Sequence, residues 1–183
     1  MEENNNIAQM LALLHELQGI DFVRQLRLIT ERREFSPLST DPEIFIVGGE
    51  TSGDYAPLLN AARKAVELGN RVFILPNPKG IRTADYIFVN KGVYKLYDLK
   101  TIIGKGSAGM RLSDSIGQTN RVLLNVRSNY DGRVLALDIR SYFEKNPLAL
   151  EVLVYRGRKS LSVTRYQAIK PLFVKEFRKR YEK

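Results

Sequence analysis

Apolar residues fall at helical spacing in two early stretches, Ile7–Gln18 and Asp21–Arg33, separated by Gly19 and followed by the polar loop SPLSTDPE at 36–43. Glu43–Val47 reads as a short strand that ends at Gly48-Gly49. From Tyr55 the spacing Tyr55, Leu58, Leu59, Ala62, Ala65 and Val66 makes a helical stripe, with Ser52 or Asp54 able to cap its start and Gly69 placed to end it. Strands are predicted at Arg71–Leu75, Asp85–Val89 and Val93–Lys100, the last two joined by the hairpin signal Asn90-Lys91-Gly92. A glycine-rich run, GKGSAG at 104–109, precedes a short helix near Leu112–Thr119 and a buried strand at Arg121–Val126. The pattern continues with a helix at Val134–Phe143, strands at Glu151–Tyr155 and Leu161–Thr164, and a basic helix from about Tyr166. These elements predict an α/β fold: a mixed sheet led by an antiparallel hairpin and flanked by helices. Residues 1–42 are expected to form an N-terminal helical extension and residues 43–183 the main domain.

Composition narrows the chemistry. The chain has no cysteine, which removes disulfides, thiolate-bound zinc and thiol nucleophiles. Its one histidine, His15, sits in a helical run and reads as a surface residue. A lone histidine supplies neither an acid and base pair nor a ligand set, so hydrolysis here has to rest on carboxylates, lysine and a hard cation. No apolar run is long enough to span a bilayer, and MEENNN is acidic where an export signal would be basic, so a cytoplasmic place of action is expected. The net charge of +9 is uneven: residues 1–50 carry 4 basic and 9 acidic side chains, and residues 151–183 carry 10 and 3. Such a balance suits contact with a polyanion, although a solvated basic face would produce it too.

Asp98-Leu99-Lys100 places an acid and an ammonium two residues apart on a strand, so both side chains leave one face. If Lys91-Gly92 forms a two-residue turn, paired positions sum to 183 and Asp85 faces Asp98, with Cβ atoms ~5 Å apart. Two carboxylates that close repel unless a cation lies between them, so the pair suits Mg²⁺ or Mn²⁺. Lys100 could then orient or deprotonate the attacking water, or neutralise charge developing on a phosphate. Lys105 and Arg111, at the glycine-rich loop, are placed to reach phosphates. So are Arg156, Arg158 and Lys159 around a glycine turn, and Lys175, Arg178, Lys179 and Arg180 near the C-terminus.

The order helix, strand, Asp-bearing strand, Asp-x-Lys strand, helix, strand resembles the core of the PD-(D/E)XK nucleases. Over about residues 48–127 the chain is similar to one branch, the C-terminal nuclease domains of contact-dependent growth inhibition and related polymorphic toxins. The residues carrying the likeness are Glu50, the run GNRVFILP at 69–76, Asp85, Asp98 with Lys100, and Gln118 before RVLLNV. The resemblance implies metal-assisted hydrolysis of phosphodiesters in RNA, tRNA included, or in DNA. Asp85, Asp98 and Glu50 would hold the metal, with Asp54 as an alternative to Glu50. Lys100 and Gln118 would handle water and the scissile phosphate, and an immunity protein would be the partner.

Other readings stay open on the residues alone. Glu50 and Asp54 are also the charges that a helix N-terminus favours, and Gln118 can be a solvated helix residue. Gly104, Gly106 and Gly109, with Asp131 beyond, spell a dinucleotide-binding fingerprint. The charged strand before them argues against a buried parallel strand, and hence against a dinucleotide enzyme. A nucleic-acid-binding module of a mobile element, without catalysis, is the main rival.

Overall fold

In a computed structural model, which describes residues 2–48, 55–104 and 107–183 (backbone alone for 2–6), the architecture is α/β, with mixed β-sheet flanked by helices. The chain divides into two compact units, Met1–Tyr97 and Asp98–Lys183. The division falls inside one ten-residue strand, not at 42/43, where the sequence pattern sets an extension apart from a main domain.

The first unit opens with α1 (Glu2–Leu13), a single 3₁₀ turn at Leu14–Glu16 and α2 (Gly19–Thr30). Then come β1 (Phe35–Pro37), β2 (Ile44–Val47), α3 (Ala56–Glu67), β3 (Arg71–Ile74), β4 (Tyr86–Asn90) and the first half of β5 (Val93–Ile102). β1 pairs antiparallel with β2, β2 parallel with β3 across the α3 crossover, and β3, β4 and β5 form an antiparallel meander. The α1 and α2 helices are no loose appendage: Ile7, Leu11, Leu14, Leu26 and Ile29 share one core with Phe73, Ile87 and Leu96 of the sheet. Alternation along the strands sends Val72, Ile74 and Tyr86 to the opposite face. There α3 lies over β2 and β3 and presents the small buried residues Ala61, Ala62 and Ala65. The Tyr86 hydroxyl donates to the Leu58 carbonyl at 2.6 Å, tying that helix to β4.

The turn between β4 and β5 is two residues long, with both Lys91 and Gly92 at positive φ (49° and 77°). That is the conformation whose twist matches paired strands. It sets Tyr86 opposite Tyr97, Phe88 opposite Lys95 and Asn90 opposite Val93, each pair summing to 183 as the sequence predicts.

The second unit runs from the second half of β5 through α4 (Ala108–Asp114), β6 (Arg121–Val126), α5 (Gly132–Lys145), β7 (Glu151–Arg156) and β8 (Lys159–Thr164). It closes with α6 (Arg165–Ala168) and α7 (Phe173–Glu182). β5, β6 and β7 are parallel, connected through α4 and α5, and β8 returns antiparallel after a Gly157-Arg158 turn. Val122, Leu124, Val152 and Val154 meet Leu135, Ile139, Phe143, Phe173 and Phe177 in a single core. The C-terminal helix predicted from Tyr166 is two helices, because Pro171 cannot continue the first.

Candidate active site

Parallel pairing sets Asp98 beside Val122, Lys100 beside Leu124 and Ile102 beside Val126. Ile102, Val122, Leu124 and Val126 belong to the core beneath α4 and α5, so Asp98 and Lys100 leave the sheet on its helix-covered face. Asp98 is only 3% exposed, and the Lys100 ammonium stands 3.4 Å from its Oδ2. Desolvation of a lone carboxylate would be expensive, and the ammonium offsets it. The separation exceeds the ~2.7–2.9 Å of a charge-assisted hydrogen bond, so the pair is a loose one.

Three more polar side chains are buried in the same region. Ser115 ends α4, with its hydroxyl donating to the Leu112 carbonyl at 2.7 Å, and Asn146 caps the end of α5. Between them Tyr142 projects from α5. Burial pushes its hydroxyl above the ordinary phenol value, Ser115 and Asn146 oppose that shift, and the Asp98 charge adds to it. Among the described residues none meets the Tyr142 hydroxyl oxygen in hydrogen-bonding geometry. The sequence did not single out these three: Tyr142 sits within an apolar helical stripe, where an aromatic ring reads as core, and its polar tip leaves no mark on the periodicity.

Gln118 and Arg111 also belong to the second unit. Gln118 is half-buried in the turn before β6, its backbone N–H donating to the Ser115 carbonyl at 3.0 Å. Arg111 is exposed on α4. Asp85 belongs to the first unit, directly before β4, where its amide donates to the Tyr97 carbonyl at 3.0 Å. Glu50, Asp54 and Lys105 lie outside the described residues, as does the capping role of Ser52 or Asp54.

The cations of the second unit split by role. Arg156 Nη1 and Lys159 Nζ both donate to the Tyr181 carbonyl, at 2.8 and 3.0 Å, and the Arg156 guanidinium lies 4.1 Å from the centre of the Tyr181 ring. They neutralise the carbonyl end of α7, where positive charge is favoured by the helix dipole. Arg165 does the same for α5, donating to the carbonyls of Phe143, Asn146 and Ala149. Arg158, Lys175, Lys179 and Arg180 are exposed, and Arg178 is exposed beside Glu182.

The glycine-rich segment has a local explanation of its own. Met110 N–H donates to the Ser107 hydroxyl, capping α4 four residues before the predicted start. Ala108 N–H donates to the Tyr130 hydroxyl, which in turn donates to Asp138 at 3.1 Å. A Cβ on Gly109 would stand 3.0 Å from Asp138 Oδ1, a tight contact that the carboxylate would have to relax. A protein carboxylate therefore lies against the first turn of α4, where a dinucleotide site needs room for a phosphate. Asp131, the acid of that fingerprint, instead caps α5 by accepting from Val134 N–H at 2.9 Å. His15 Nε2 lies 2.7 Å from the Arg82 carbonyl oxygen, in a hydrogen bond at the surface of the first unit.

Compared with protein-family models, with curated proteins and with solved structures, the chain matches none. No helix among the described residues is long and apolar enough to cross a membrane. Nor do three or more His, Asp or Glu side chains gather there in a group suited to a metal ion. Mg²⁺ is commonly held by one or two carboxylates, with water and substrate phosphate completing its shell. A buried aspartate beside a loosely paired lysine is compatible with that donor chemistry.

Proposed function

We propose that this chain is a metal-dependent nuclease of the PD-(D/E)XK type, centred on Asp98 and Lys100. The observation that carries the reading is the buried Asp98 carboxylate with the Lys100 ammonium 3.4 Å away, on the strand of an α3-β3-β4-β5-α4-β6 order. Asp98 would hold Mg²⁺ or Mn²⁺, and the resemblance adds Asp85 and Glu50 as further acids. When bound, such an ion activates water and neutralises phosphate charge. Lys100, released from Asp98, orients that water or balances the charge growing on the phosphate. Gln118 steadies water or phosphate near the end of α4. The exposed cations Arg111, Arg158, Lys175 and Lys179 hold the nucleic-acid backbone without reading bases. The substrate is RNA, tRNA included, or DNA, met in a cytoplasm, and an immunity protein is the partner that the toxin resemblance proposes.

The binding-module reading has one observation in its favour: an aspartate so buried and already paired with lysine can be purely structural. Incubation with total RNA and with plasmid DNA, in Mg²⁺, Mn²⁺ or EDTA, separates the two. Cleavage that needs the divalent ion supports the nuclease. Retention of intact nucleic acid by the protein under all three conditions supports the binding module.

A further inference from the structure

Among the described residues one aromatic side chain stands clear of the protein. The chain has nine tyrosines and eight phenylalanines, and of these Tyr166, 70% exposed, is the one classed with the open surface. It opens the second turn of structure after β8, in α6, with the Lys170 ammonium 4.5 Å from its ring centre. Aliphatic side chains lie near it. Glu151 pairs with Thr164, which sets Leu150 beside Arg165, and Arg165 donates to the Asn146 and Ala149 carbonyls. The 146–150 loop and the start of α6 are thereby held together, and Leu148, Leu150, Ile169 and Leu172 are all exposed there. Lys145 and Lys170 are exposed at the same end. The sheet relates this end to Asp98: Asp98, Val122, Val152 and Val163 form one row across β5, β6, β7 and β8. Three strand spacings put Asp98 ~14 Å from Val163, near the end of β8, a span of a few nucleotides.

We propose that Tyr166 is a stacking platform for an unpaired base of the nucleic acid whose phosphate reaches Asp98 and Lys100. The proposal rests on the nuclease reading and narrows its substrate to RNA or DNA with unpaired nucleotides. A base inside a duplex has both faces covered by its neighbours, so only a single strand, a loop or a frayed end offers one to a protein ring. Any base serves, since each has a π face, and this agrees with cations that hold the backbone without reading sequence. Lys170, beside the ring, neutralises the adjoining phosphate. An anionic lipid surface is the other ligand that apolar side chains among lysines suit. It needs apolar area but no ring, whereas an exposed ring at the end of the row that holds Asp98 favours the base.

The chain has no tryptophan, so Tyr166→Trp supplies a single fluorescent reporter at the site. In EDTA, where no cleavage intervenes, a single-stranded oligonucleotide should bind and quench that tryptophan, and a blunt duplex of equal length should quench it far less. Tyr166→Phe should hold the single strand as the native protein does, and Tyr166→Leu, apolar but ringless, should bind it about tenfold more weakly. A single strand that fails to bind, or that binds without quenching, overturns the inference. Equal affinity of the Leu and Phe variants overturns it too, as does a tryptophan that responds to vesicles of anionic phospholipid and not to the oligonucleotide. If the native protein cleaves nothing in Mg²⁺ or Mn²⁺ while the quenching persists, the nuclease reading falls and the stacking site stands. Divalent-dependent cleavage without quenching does the opposite.

Discussion

The first unit carries 11 Lys and Arg against 12 Asp and Glu, a net charge of −1, whereas the second carries 18 against 8, a net of +10. Their interiors differ in the same sense. Of the buried polar side chains among the described residues, Gln25 belongs to the first unit; Asp98, Ser115, Asn125, Asn146 and Glu151 belong to the second. Burying polar groups and crowding like charges both work against stability. The first unit has less of either, and its sheet is sandwiched between α1 with α2 on one face and α3 on the other. The second accepts both, and it holds the Asp98–Lys100 pair. Where a fold departs from the cheapest packing is where function is best sought.

That contrast can be sharpened by breaking matched groups. Glu151 accepts from Arg121 Nη1 at 2.8 Å and from the Ser162 hydroxyl at 2.5 Å, and its charge, after burial, helps keep the Tyr155 phenol far above its ordinary value. Glu151→Ala strands a half-buried guanidinium, and denaturant unfolding should report a loss of about 3 kcal/mol. Next in size is Arg156→Ala, which removes a hydrogen bond to α7 and a cation–aromatic contact. It should lower stability by about 1–3 kcal/mol while leaving nucleic-acid affinity unchanged. Neutralising exposed Lys175 and Lys179 should do the reverse: affinity drops and its dependence on salt flattens, with the melting temperature held. In the first unit, Gln25→Leu loses a bond to the Met10 carbonyl and should cost only about 1 kcal/mol.

The smallest effect is a pH dependence of the first unit. The Arg32 guanidinium holds the Glu34 carboxyl below the usual glutamate value, and Arg63 does the same for Asp41. A depressed folded pKa stabilises above the unfolded pKa and is lost as pH falls through the folded one. Stability should therefore decline below the ordinary carboxylate range. Glu34→Gln with Asp41→Asn should flatten that limb of a pH series of melting temperatures, and an unaltered limb would assign it to other groups.

Much of the frame was legible from periodicity. Strands β3 to β7 and helices α3 and α5 fall within a few residues of their predicted spans. The Asn90-Lys91-Gly92 signal predicted the register of the β4–β5 hairpin. β1 was read as loop because three residues ending in Pro37 give no alternation to detect. α4 begins at Ala108 rather than near Leu112 because its cap is a serine inside a glycine-rich run, and Gly117, at positive φ, follows its end. Of the candidate site, strand spacing put Asp98 and Lys100 on one face, and the facing acid Asp85 with the order of elements singled them out. Tyr142 could not be read in this way, nor could the roles of Arg156 and Lys159: their acceptor is a backbone carbonyl more than twenty residues away, and sequence shows the charge but not the helix end that uses it.

The nuclease reading meets its most direct test in Asp98→Ala. The folded variant and the native protein are incubated side by side with total RNA and plasmid DNA in Mn²⁺ or Mg²⁺, with thermal melting recorded to verify the fold. The native protein should cleave one of the two substrates and stop in EDTA, and Asp98→Ala should leave both intact while melting cooperatively. Cleavage by a folded Asp98→Ala protein at the native rate would contradict the account.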